Sequence, residues 1–156
     1  MTTLFLIRHA HAGDRDAWAG PDGQRPLSAK GWRQARGLVQ LLAPYEIGRI
    51  DSSPSLRCVQ TVQPLAEARG LVVQEDQALL EGSDPTDGFD ALERQLDGAS
   101  VAACTHGDLV PAILEQAVRA GASLPPQVRW QKGSTWILDR RDGHWTGVRY
   151  LPPADG

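Results

Sequence analysis

The chain has 156 residues, of which 41% are hydrophobic and 22% charged, with a formal net charge of −3. That length suits one domain with a genuine core, and the acidic balance excludes a broad basic face for a nucleic-acid partner. No apolar run reaches about 18 residues, which excludes a membrane-spanning helix and argues against a membrane partner.

The opening segment MTTLFLIRHAHAG lacks a basic leader region, and its apolar part is too short for a signal peptide, so a cytoplasmic protein is expected. Cys58 and Cys104 each sit in an apolar pattern and read as small buried residues of a reducing compartment. One domain is expected over 1–151, followed by a disordered tail over 152–156.

Residues 3–8, with the continuous apolar run Leu4-Phe5-Leu6-Ile7, read as a strand buried on both faces. The stretch 13–27, rich in Gly, Asp, Arg and Pro, reads as loop. Ser28 is a candidate N-cap for a helix over 29–43, with Trp32, Ala35, Leu38, Val39 and Leu42 as its buried stripe. IGRIDSS is a second strand. Ser53 is then expected to cap, and Pro54 to open, a second helix that stops at Gly70. LVVQ is a third strand, a short helix follows near 89–97, and SVAACTH is a fourth strand ending on His106. Asp108 is a candidate cap for the next helix. STWILDR and HWTGVRY flank RDG as a hairpin.

Strands alternating with helices predict a three-layer α/β/α sandwich around a mostly parallel, mixed central sheet. If the first and fourth strands are parallel neighbours, His9 and His106 emerge at one sheet edge. Arg57 and Glu81 follow the second and third strands toward the same edge, where open α/β sheets bind ligands.

Three chemistries compete for Arg8-His9-Ala10-His11. Metal ligation by His-x-His needs further ligands, and the neighbouring arginines repel a cation. Packing alone satisfies a single strand-end histidine, but two arginines and two histidines at successive βα junctions are costly to bury without an anion. Phosphate fits best. Guanidinium forks match its oxygens, helix N-termini add donors, and like-charge repulsion keeps an imidazole neutral and nucleophilic. No metal and no cofactor is expected.

The segments LIRHAHA (6–12), RPLSAKGWRQA (25–35), SSPSLRCVQT (52–61), LLEG (79–82) and CTHGDLVP (104–111) occur in an order that resembles the histidine phosphatase superfamily. That family is also called phosphoglycerate mutase-like, or RHG. The length resembles the short bacterial type, similar to SixA phosphohistidine phosphatases. RHAHAG, QRPL and QKGSTWIL (131–138) are similar to the C-terminal phosphatase domain of two-domain mycobacterial MutT-like hydrolases.

The resemblance implies a phosphoglycerate mutase-like fold and a metal-independent phosphomonoesterase acting through a phosphohistidine. His9 would be the nucleophile and Glu81 the proton donor, with Asp84 in reserve. Arg8, Arg57 and His106 would hold the phosphate, and His11, Lys132 and Ser134 are candidate substrate contacts. Ala10 departs from the family's glycine and would narrow the space behind the nucleophile. The implied substrate is a phosphorylated small molecule or a phosphoprotein. The alternatives are a protein phosphohistidine phosphatase and a phosphate-binding module without turnover.

Overall fold

β1 (Thr2–Arg8) runs through the middle of a six-stranded sheet, which explains the apolar run Leu4-Phe5-Leu6-Ile7 at its centre. The computed structural model describes residues 1–154. After β1 come α1 (Ala29–Leu41), β2 (Arg49–Ser52), α2 (Leu56–Arg69), β3 (Val73–Glu75) and α3 (Pro85–Leu96). β4 (Val101–Thr105), α4 (Leu109–Arg119), β5 (Thr135–Arg141) and β6 (His144–Leu151) complete the chain. Single 3₁₀ turns lie at Arg15–Ala17, Asp22–Gln24 and Gln77–Leu79.

The strand order is β3-β2-β4-β1-β5-β6. β1 to β4 are mutually parallel, whereas β5 pairs antiparallel with β1 and β6 with β5. Alternate β1 side chains feed two cores, because strand side chains have a period of two. Phe5 and Ile7 pack with Leu38 of α1 and Val62 and Leu65 of α2, while Leu4 and Leu6 pack with Leu92 of α3 and Ile113 and Leu114 of α4. The result is a three-layer α/β/α sandwich. Both cysteines are fully buried in the α1–α2 side of it.

Several boundaries differ from the sequence expectation. α2 begins at Leu56 after Ser55, and Ser53 does not cap it, because the Ser53 hydroxyl is engaged by His106. Leu71 does not start β3. Its N–H closes the end of α2 on the Ala66 carbonyl (2.9 Å), with Gly70 in the left-handed region at φ 65°. α3 starts earlier than expected, since Asp84 accepts from the Thr86 N–H and Pro85 occupies the first helical position. Asp108 stands at the start of α4, but its side chain accepts the Gly82 N–H (2.9 Å) instead of capping. The hairpin turn at Asp142 and Gly143, both with positive φ, agrees with the expectation. Of the tail expected to be disordered, Asp155 and Gly156 lie outside the described residues; Pro153 is buried beside Gly133.

Ser28 caps α1 as expected, accepting from the Gly31 N–H at 3.1 Å. A Cβ at Gly31 would overlap the His11 carbonyl oxygen, so α1 rests directly on the segment that follows His9. Alanine is intrinsically the better helix former. Gly31→Ala is nevertheless expected to destabilise the fold by about 1–3 kcal/mol through overpacking, read as a lower urea midpoint. An unchanged or higher midpoint would show that this close approach carries no weight.

Candidate active site

The parallel pairing of β1 with β4 aligns Arg8 with Thr105, and the His9 N–H donates to the Thr105 carbonyl at 3.0 Å. His9 and His106 therefore leave adjacent strands side by side, with ring centroids 5.5 Å apart. α2 follows β2 and brings Arg57 in its first turn, and Glu81 comes from the loop after β3. His9, Arg57 and His106 are all buried.

The His9 Nδ1 lies 2.8 Å from the Ala10 carbonyl oxygen. A carbonyl only accepts, so Nδ1 carries the proton and Nε2 presents a free lone pair. Burial, above all, lowers the His9 pKa to about 3, the Ala10 bond opposes this, and Arg57, His106 and Arg8 lower it further. The Ala10 N–H in turn donates to the Thr61 hydroxyl (2.9 Å), which donates to the Arg57 carbonyl (2.6 Å). Thr61 thus ties the His9 segment to the turn that carries Arg57.

His106 is anchored on its far side. Its Nε2 shares a hydrogen bond with the Ser53 hydroxyl (2.8 Å), and its Nδ1 faces Arg57 Nη2 at 3.4 Å and Glu81 Oε1 at 3.7 Å.

The two arginines are held by backbone carbonyls. Arg8 Nη1 donates to Trp130 O (2.8 Å) and Arg57 Nη1 to Asp22 O (2.9 Å). The Nε–H groups of both are buried and donate to nothing among the described residues. Arg8 lies across Gly107, where a Cβ would come within 2.6 Å of Nη2. Asp22 Oδ2 pairs with Arg57 Nη2 (3.1 Å), while its Oδ1 meets Arg25 Nε (3.1 Å) and Arg15 Nε (3.3 Å). Burial is the strongest single influence on the Asp22 carboxyl and raises its pKa, but the Arg25 hydrogen bond and the charges of Arg57 and Arg15 together hold it below its ordinary value. Arg15 also reaches Glu81, with Nη2 3.1 Å from Oε1.

A cavity of about 360 Å³ opens in front of His9, lined also by Arg8, Arg15, Arg25, Glu81 and Lys132. The structure thus brings together six of the expected residues, with Arg57 and His106 buried against Glu81 behind this lining. Burial, then the nearby Arg8, Arg25, Arg15 and Arg57, lower the Lys132 pKa. Two candidate substrate contacts stay outside. Ser134 is buried, and its carbonyl accepts from the Arg8 N–H (3.1 Å). His11 Nδ1 shares a 2.7 Å hydrogen bond with Ser28, and the imidazole lines a neighbouring cavity with Lys30 and Lys132. Asp84 is occupied as the cap of α3. Ala10 is fully buried in a small cluster with Ala12, Leu27 and Ala35, away from the cavity lining.

Sequence reasoning missed Ser53, Thr61, Asp22, Arg15 and Arg25. Ser53 looked like a helix cap and Thr61 like a helix interior, and the other three lie in a loop without periodicity. Among the described residues, no group of three or more His, Cys, Asp or Glu side chains is arranged to hold a metal ion.

A family model described as "Histidine phosphatase superfamily (branch 1)" matches residues 4–83, and the chain belongs to that superfamily. A curated relative, the 8-oxo-(d)GTP phosphatase of Mycolicibacterium smegmatis, is 32% identical over 98% of this chain. The chain spans about half of that relative, 49% of its length. Among solved structures, the protein histidine phosphatase SixA complexed with tungstate superposes with a TM-score of 0.83 at 22% identity, covering 99% of both chains. A mycobacterial glucosyl-3-phosphoglycerate phosphatase superposes with a TM-score of 0.68 at 21% identity, covering 97% of each chain.

The neutral, buried state of His9 has a consequence for stability. Its pKa in the fold, about 3, lies below the ordinary 6.5, so between these values the unfolded chain takes up a proton that the folded chain refuses. The stability that neutral His9 confers is complete above pH 6.5 and is lost as pH falls toward 3. Chemical denaturation across this window is expected to show stability falling with acid, and falling less steeply in His9→Gln. Parallel slopes for the two proteins would contradict the assignment.

Proposed function

We propose that this domain is a metal-independent phosphatase that hydrolyses phosphomonoesters through a phosphohistidine on His9. One observation carries the reading. A neutral imidazole offers its Nε2 lone pair beside the guanidinium groups of half-buried Arg8 and buried Arg57, whose buried Nε–H donors have no partner among the described residues. Buried cationic donors without partners are costly unless a ligand anion meets them. Membership of the histidine phosphatase superfamily supports the same conclusion. The phosphatase relative from Mycolicibacterium smegmatis, named for a nucleotide, supports a phosphorylated small molecule as substrate.

In this mechanism the phosphate of the ester enters the cavity, takes donors from Arg8, and takes the place of the Glu81 carboxylate against Arg57 and His106. His9 Nε2 attacks phosphorus in line, the N–P bond forms and the P–O bond to the leaving group breaks. The guanidinium groups stabilise the charge on the three equatorial oxygens. Glu81 donates the proton that the leaving oxygen needs. Glu81, now ionised, takes a proton from water as the water attacks the phosphohistidine. His9 leaves with the electron pair of the N–P bond, and phosphate is released.

His9→Ala is expected to abolish turnover of p-nitrophenyl phosphate, and a rapid acid-free quench of the wild-type protein should trap acid-labile, base-stable phosphate on His9. Retained turnover in the variant would end the proposal. Glu81→Gln is expected to slow alkyl phosphates by roughly 10²–10⁴-fold and p-nitrophenyl phosphate much less, because nitrophenolate leaves without a proton. Equal losses on both would assign the acid to another residue. EDTA is expected to leave the rate unchanged.

A further inference from the structure

A second cavity, of about 240 Å³, adjoins the one in front of His9 and shares Gly13 and Arg25 with it. Its character is different. Where the first cavity is walled by arginines, Lys132 and Glu81, the second is walled mainly by Ala12, Ala17, Trp18, Pro26 and Leu27. Ala12 and Leu27 are buried, whereas the large indole of Trp18 is 38% exposed.

That indole is also tethered within its own loop. Its Nε1–H donates to the Pro21 carbonyl at 2.8 Å, so its polar group is satisfied within the loop. Gly20 packs against the ring, and a Cβ there would come within 3.1 Å of it. Trp18 follows the 3₁₀ turn Arg15–Ala17, whose Arg15 lines the anion cavity. A single loop therefore lines one cavity with a cationic group and the next with a large aromatic side chain.

We propose that this cleft is the substrate's second subsite and takes a planar aromatic group, stacked on Trp18, of an ester whose phosphate lies in front of His9. The proposal rests on the phosphatase reading and names its substrate class: phosphomonoesters of aromatic-bearing small molecules, such as nucleoside 5′-monophosphates. An indole already tethered through its Nε1–H is an effective stacking surface, because part of its side-chain freedom is spent before contact. A small sugar phosphate fills the anion cavity but leaves the apolar cleft empty. Two cavities that share lining residues, one charged and one mainly apolar, have the anatomy of a site for a small amphipathic ligand.

The test compares two esters with the same primary 5′-oxygen leaving group, AMP and ribose 5-phosphate, which differ in the presence of the base. The wild-type kcat/KM is expected to favour AMP by about 10-fold or more, in the range of base–aromatic stacking, with the difference in KM. In Trp18→Ala that ratio is expected to fall toward one, and in Trp18→Phe most of it should remain. A wild-type ratio near one, or a ratio that Trp18→Ala does not change, overturns the subsite. Binding is measured separately on His9→Ala by fluorescence titration, where AMP is expected to bind about 10-fold or more tightly than ribose 5-phosphate. Turnover of both esters at equal efficiency, with equal binding, sinks the subsite and leaves the phosphatase reading standing. Absence of turnover with AMP still preferred in binding sinks the phosphatase reading and leaves the subsite. Circular dichroism of the Trp18 variants excludes misfolding as the cause of a lost ratio.

Discussion

The parallel pairing of β1 with β4 is the constraint on which the site depends. It sets Arg8 opposite Thr105, so the next residue of each strand, His9 and His106, leaves the sheet at the same height. Every other charged group is placed relative to that pair. β2 lies on the outer side of β4 and delivers α2 with Arg57, and β5 on the other side of β1 closes the end of the strand through the Ser134 carbonyl. A slip of one residue between β1 and β4 would turn one histidine to the opposite face. Leu4 and Leu6 pack in one core and Phe5 and Ile7 in the other, so the register is held by the fit of each side chain to its own core.

Electrostatics then decides what the site can hold. Concentrated arginines would repel one another in an empty pocket, and the fold answers with Asp22 and Glu81, which pair with Arg57, Arg15 and Arg25. The backbone carbonyls of Asp22 and Trp130 orient Arg57 and Arg8 without neutralising them. The Nε–H donors of Arg8 and Arg57 are buried and have no partner among the described residues. Preorganisation of this kind is effective because the donors need not rearrange when charge develops. His9 is treated in the opposite way: burial keeps it uncharged, and one carbonyl fixes which nitrogen is free.

Much of this was readable in the residue pattern. The layers, the strand alternation and the convergence of Arg8, His9, Arg57, Glu81 and His106 follow from hydrophobic periodicity and from the rule that ligands meet the carboxyl ends of parallel strands. The supporting groups were not readable, for reasons that differ by residue. Ser53 stands before a proline and a helix, so its capping signal was strong, yet the hydroxyl serves a histidine 53 positions away. Asp22 lies in a loop whose composition says only that it turns, and its role exists because that loop folds back on Arg57. Asp108 looked like a cap and became the tether of the Glu81 loop through Gly82.

By itself, the amino-acid order determined the class of architecture, the identity of the imidazole and guanidinium groups at the strand ends, and the superfamily. These are local properties: period, end signals and motif spacing survive without knowledge of distant contacts. Only the tertiary structure decided which nitrogen of His9 is free, which donors remain unpaired, and that the loop over 13–27 sets a tryptophan beside the anion cavity. Each of those depends on atoms far apart in the chain coming within a few ångströms, and such proximity leaves no periodic trace in a sequence.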